Sequence, residues 1–210
     1  MLVACIVLWW CALVGVFNTL LRQRGFTYGG TPRKTALFYL CSTALTLALF
    51  APMSFVWAFV DPLKLLILIP ILVVIAFIDW EIAQTYPGAD RTWVWHGTLV
   101  KYTDIFFQQL LVCLLFTSIA TQYEYASGQI TVFAIIFVAI HLPVFVVMPR
   151  TIAWTFLLAS VCGGILFPLL YIYTPTSAAF STFALHTLFY TVLRAFEHHS
   201  DMWVKYIERD

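Results

Sequence analysis

The stretch Thr103 to Cys113, TDIFFQQLLVC, sets Asp104, Gln108 and Gln109 at the head of an otherwise apolar segment. Farther along, single histidines stand in apolar surroundings at His141 (FVAIHLPVF) and His186 (STFALHTLFY). Carboxylates and imidazoles exchange protons, while carboxamides and imidazoles bind neutral groups by hydrogen bonds, so this set could do acid–base work or hold a polar group in a dry site. In hydrocarbon an unpaired amide costs roughly 2–7 kcal/mol and a charge more, so each of these groups requires a partner. Gln108 is seven residues past Lys101, His141 nine before Arg150 and His186 eight before Arg194. At a rise of about 1.5 Å per residue, all three sit roughly 10–14 Å from the basic residues that end their segments. Asp104 lies one helical turn from Gln108 on the same face. Polar groups on three segments therefore share one level.

The elements that position them follow from composition. With 62% hydrophobic residues, 10% charged residues and a mean hydropathy of +0.93, the chain is predicted to be an integral, multi-pass membrane protein, with the lipid bilayer as its main partner. A net charge of +1 gives no reason to expect nucleic acid. Charges divide the chain into segments comparable with the roughly 20 apolar residues that a bilayer crossing needs. These are Met1 to Leu21, Thr35 to Val60, Pro62 to Ile78, Ile105 to Tyr123 and Tyr125 to Pro149. Thr151 to Leu193, 43 residues without a charge, is about two bilayers long and splits at the turn-forming YIYTPTS, Tyr171 to Ser177. The fold class predicted is all-α, a polytopic transmembrane bundle of about seven spans. Of the eleven Lys and Arg residues only Lys64 falls on the far side of such a bundle, which puts the amino terminus outside and the carboxyl terminus in the cytoplasm. The first segment lacks a basic n-region and reads as a retained span.

Three regions emerge. Residues 1–102 hold the amino-terminal helices and an interfacial loop, Asp79 to Thr103, whose Trp80, Tyr86, Trp93 and Trp95 suit a headgroup layer. Residues 103–197 hold the polar level, and 198–210 form a tail whose Met202, Trp203, Tyr206 and Ile207 have the spacing of a short amphipathic helix. The five cysteines, Cys5, Cys11, Cys41, Cys113 and Cys162, are dispersed without a CxxC pair and read as small apolar packers. Gly163 and Gly164, four residues after Ala159 and Ser160, let their helix pack closely on a neighbour.

Phe137 and His141 form an FxxxH pattern, followed in order by a glycine-containing helix, a short turn and His186 with Tyr190 four residues on. Over roughly Thr103 to Phe196 this resembles the CPBP family of intramembrane proteases, which includes the CAAX prenyl endopeptidases and bacteriocin-processing or immunity proteins. The family pattern is EExxxR, then FxxxH, then HxxxN. The resemblance implies a site at Gln108, Gln109, His141 and His186, with Asp104, Phe137 and Tyr190 around it. It also implies hydrolysis by a water that the first glutamate and the histidines activate. Here Gln108 and Gln109 replace the glutamates, Cys113 the arginine and Tyr190 the asparagine. A carboxamide has no basic state near neutral pH, so Gln108 cannot take the glutamate's role.

Three explanations stand: an engineered Glu-to-Gln pair, Asp104 acting as a substitute base, or a retained fold that has lost the reaction. The last is favoured. It implies a pseudoprotease that holds a transmembrane peptide or serves as an assembly subunit alongside other membrane-protein subunits. An active intramembrane endopeptidase is the alternative. A second alternative has His141 and His186 as axial haem ligands, or joined by His96 or His198 and His199 around a metal. No cofactor is predicted otherwise.

Overall fold

The computed structural model describes residues 2–16, 21, 23–24, 31–50, 62–84, 91–143, 145 and 150–197, and among these it is helical with no strand. The amphipathic tail and the histidines at 198 and 199 lie outside the described residues. The helices are α1 (Leu2–Gly15), α2 (Pro32–Phe50), α3 (Pro62–Gln84), α4 (Arg91–Ala120), α5 (Ala126–His141), α6 (Arg150–Tyr173) and α7 (Ala178–Glu197). Two of them contain stretches long and apolar enough to cross a membrane, Val100–Ala120 and Ala153–Tyr173.

Helix boundaries obey local chemistry. Pro32 and Pro62 open α2 and α3 at the first helical position, where the missing N–H costs no bond. α5 stops at His141: Leu142 keeps helical backbone and its N–H tightens back to the Ala139 carbonyl at 3.2 Å, and Pro143 then has no N–H with which to continue the ladder. The charge-free run from Thr151 divides where the sequence marks it: the Thr174 N–H closes α6 on the Leu170 carbonyl at 2.8 Å, and the Ser177 N–H bonds the Thr174 carbonyl at 3.0 Å before α7 begins.

One boundary differs from the sequence reading. Asp79 to Thr103 is not a single interfacial loop: α3 extends through it to Gln84, and α4 starts at Arg91 rather than at Ile105. Lys101 and Asp104 do not end a helix because they neutralise each other three residues apart along it. The division drawn at 102/103 thus falls inside α4.

α4 is the core helix, in contact with α1, α2, α3, α5 and α7. Its apolar window is 72% buried, against 22% for that of α6, which identifies α6 as peripheral. Phe107, Leu111, Leu115 and Ile119 of α4 are fully buried with Ile6 of α1 and Phe133 of α5. Tyr39 of α2 meets Phe107 at 6.0 Å, and Phe116 packs edge-on against Phe133 at 6.3 Å. α2 turns Thr35, Ser42, Thr43 and Thr46 inward, their hydroxyls able to return to the preceding turn, as the Thr46 hydroxyl does to the Ser42 carbonyl. Trp9 of α1 donates its indole N–H to Thr46 Oγ1 at 2.9 Å, tying α1 to α2.

α6 docks on α5 through its glycines. A methyl group at Gly164 would come within 3.1 Å of the Ala134 backbone, and one at Gly163 within 3.1 Å of the Phe137 ring. The small residues serve packing within the chain. Cys113 is buried, whereas Cys5, Cys11, Cys41 and Cys162 lie on exposed helix faces. The outer face of α3 exposes Leu63, Leu66, Ile67, Val73, Val74 and Phe77. Soluble helices present such a face to their core, and here it points outward.

Candidate functional site

The site lies where α4, α5 and α7 approach, with α6 closing one side. α4 and α7 run antiparallel: Lys101 meets Tyr190, whereas Phe106 and Gln109, farther along α4, meet Phe183 (6.3 Å) and His186, which come earlier in α7. Because Asp104, Gln108 and Lys101 recur at three- and four-residue spacing, they form a ladder along one helix face.

That ladder is fully coupled. Lys101 Nζ donates to Asp104 Oδ2 at 2.8 Å, and Gln108 Nε2 donates to Asp104 Oδ1 at 2.7 Å. Asp104 is only 3% exposed, so both of its oxygens are engaged inside the bundle. The Lys101 ammonium also stands 3.7 Å from the centre of the Tyr190 ring, a cation–π contact that joins α4 to α7.

Gln109 belongs to a second group. Its Nε2 lies 2.8 Å from His186 Nδ1, and it is 1% exposed. Its Oε1 is buried with no hydrogen-bond partner among the described residues. The His186 ring stacks on Tyr190 at 5.2 Å and meets Phe167 of α6 at 6.2 Å, so it is held on both sides by aromatic surface. Tyr190 is therefore the hinge between the two groups, touching Lys101 with its ring face and His186 by stacking.

The third helix contributes differently. His141 Nδ1 is 2.6 Å from the carbonyl of Phe137 on its own helix, and the two rings lie 4.6 Å apart. Phe137 is buried against Trp10, Phe133, Phe167 and His141, which makes it the packing pivot of α5. Among the described residues His141 makes no hydrogen bond to His186: each ring bonds a different partner.

The structure thus brings Gln109, His186 and Tyr190 together directly and places Asp104 and Gln108 one turn away. The sequence reading gave Gln108 the place beside the histidines; the adjacent Gln109 makes that contact, because successive helical residues are about 100° apart and Gln108 points to Asp104 instead. Lys101 is the residue that sequence reasoning missed. It was counted as a charge marking the cytoplasmic edge, and the available signal was its three-residue spacing from Asp104. Beyond the site, Cys113 of α4 is buried, its carbonyl accepts from the Thr117 hydroxyl at 2.8 Å, and Tyr171 of α6 stacks on Phe116 at 4.9 Å.

Among the described residues no group of three or more His, Cys, Asp or Glu side chains is arranged to hold a metal ion. His96 is within α4, but its side chain lies outside the described set. No family model, curated protein or solved structure matches the chain.

Proposed function

We propose that the chain is a multi-pass membrane protein of seven spans, with its amino terminus outside and its carboxyl terminus in the cytoplasm. Its core is CPBP-like and catalytically degenerate, and it works as a binding or assembly subunit of a membrane complex. The observation that carries the reading is the Gln109–His186 hydrogen bond at 2.8 Å. Where an intramembrane hydrolase of the resembled kind needs a carboxylate beside an imidazole, this chain has a neutral amide, which binds and orients without taking a proton. The engagement of both Asp104 oxygens supports the same conclusion, since the carboxylate is committed to Lys101 and Gln108 on its own helix and not to the histidines. The outward apolar face of α3 supports the membrane setting.

The test is purification of the full chain from its native membrane in mild detergent. The reading expects stoichiometric co-purification of other chains and no cleavage of a prenylated or transmembrane peptide. It further expects that Gln108→Glu with Gln109→Glu is the only change at the site able to introduce turnover. Cleavage by the unaltered chain that disappears in His141→Ala refutes it, and a Soret band in the purified protein would point to a haem protein instead.

A further inference from the structure

The Gln109–His186 pair has a property that does not depend on how its protons are assigned. If Gln109 donates from Nε2 to His186 Nδ1, the amide oxygen remains as an acceptor and the imidazole carries its proton on Nε2, a donor. If the amide is turned the other way, Nδ1–H donates to the amide oxygen, the amide NH2 remains as a donor, and Nε2 is an acceptor. Either way the pair presents one donor and one acceptor on two separate atoms. The amide atom turned away from His186 is buried without a partner among the described residues, and Gln109 as a whole is 1% exposed. Leaving such a group unpaired in a dry interior is costly, so the site favours a ligand that completes it.

From this we infer that Gln109 and His186 form a recognition site for a neutral amide, supplied by a protein segment as an asparagine or glutamine side chain or as a peptide group free of helix bonds. An amide matches because its N–H and C=O are also separate atoms of opposite character. A carboxylate offers only acceptors and an ammonium only donors, so each leaves one half of the pair unmatched and also brings a charge into low dielectric. The one ammonium close by, Lys101, is already joined to Asp104 at 2.8 Å and covered by the Tyr190 ring at 3.7 Å, which reserves it from anions. This inference rests on the reading of the site as one that binds rather than hydrolyses.

The test uses the full chain in detergent micelles, with side-chain amide and imidazole resonances followed by isotope-edited NMR. Octanamide, N,N-dimethyloctanamide and octane-1-sulfonate are titrated, each referred to its own partition into protein-free micelles. Octanamide should shift the Gln109 and His186 signals saturably. The dimethyl amide, which keeps the acceptor and loses both donors, should bind about tenfold more weakly, and the sulfonate should produce no saturable shift. Equal binding of octanamide and its dimethyl derivative overturns the inference, as does saturable binding of the sulfonate at these two residues. A hydrophobic peptide with a central asparagine should also compete with octanamide more strongly than a short-chain ceramide; the reverse order overturns the assignment to a protein segment. These comparisons use the unaltered chain, so they do not depend on any variant folding. Their failure leaves the cleavage and co-purification results untouched, and the two readings can fall separately.

Discussion

Lys101 and Asp104 are best examined as a pair. Lys101→Met keeps an apolar stem against the Tyr190 ring and removes the ammonium; Asp104→Leu removes the carboxylate at similar volume. Each single change strands a charge in the bundle, which typically costs roughly 3–5 kcal/mol. The two are not equal. The Lys101 side chain is 22% exposed and that of Asp104 5%, so a stranded ammonium can still reach water while a stranded carboxylate cannot. Lys101→Met should therefore be the more damaging. The Asp104 variants also release Gln108 Nε2 from its 2.7 Å bond, but that loss is common to the single and the double variant and cancels in the cycle. With both charges gone, the double variant should be more stable than Lys101→Met alone, which makes the favourable coupling between the partners larger than the cost of Asp104→Leu alone, about 3 kcal/mol or more. Denaturant titration of the four proteins in the same mild detergent, followed by circular dichroism, measures it. If the two losses add to within about 0.5 kcal/mol, the ladder on α4 is not an energetic unit and the argument that Asp104 is neutralised by Lys101 fails.

Two further expectations concern the frame around the site. Gly164→Val should destabilise by about 1–3 kcal/mol, because a Cβ there already lies 3.1 Å from the Ala134 backbone, whereas Gly15→Ala, with nothing within 4 Å of its added carbon, should be neutral or slightly stabilising; thermal unfolding of the two variants makes the comparison. Trp9→Phe should remove the indole bond to Thr46 while retaining most of the ring contact, for a loss of about 0.5–1.5 kcal/mol, and Thr46→Val in that background should add little, because the two changes break the same link between α1 and α2.

Much of the helical architecture is legible from charge and hydropathy, because each apolar run is interrupted by residues that cannot remain unpaired in a dry interior. The break between α6 and α7 at Tyr171 to Ser177 follows from turn chemistry alone. The start of α4 does not. A charge was taken to mark the end of a segment, yet Lys101 is neutralised by a partner on its own helix, so the apolar segment and the helix have different lengths. Within the site, the shared level of the glutamines and His186 is legible, since it depends only on the rise per residue, whereas the adjacency of α4 and α7 that lets them meet is not. Which of two adjacent glutamines makes the bond depends on helix rotation, and rotation is set by packing against several neighbours at once. His141 shows the same limit: its level was readable, and its attachment to the Phe137 carbonyl was not.

The ladder of Lys101, Asp104 and Gln108 also bears on biogenesis. All three are linked through bonds within a single helix, at 2.8 and 2.7 Å, so on the proposed multi-pass reading α4 would leave a translocation pore with the Lys101–Asp104 and Gln108–Asp104 bonds able to form before α7 is made. α7, synthesised after α4, then brings His186 and Tyr190 to the ladder, and nascent chains truncated before Ala178 should still insert α4.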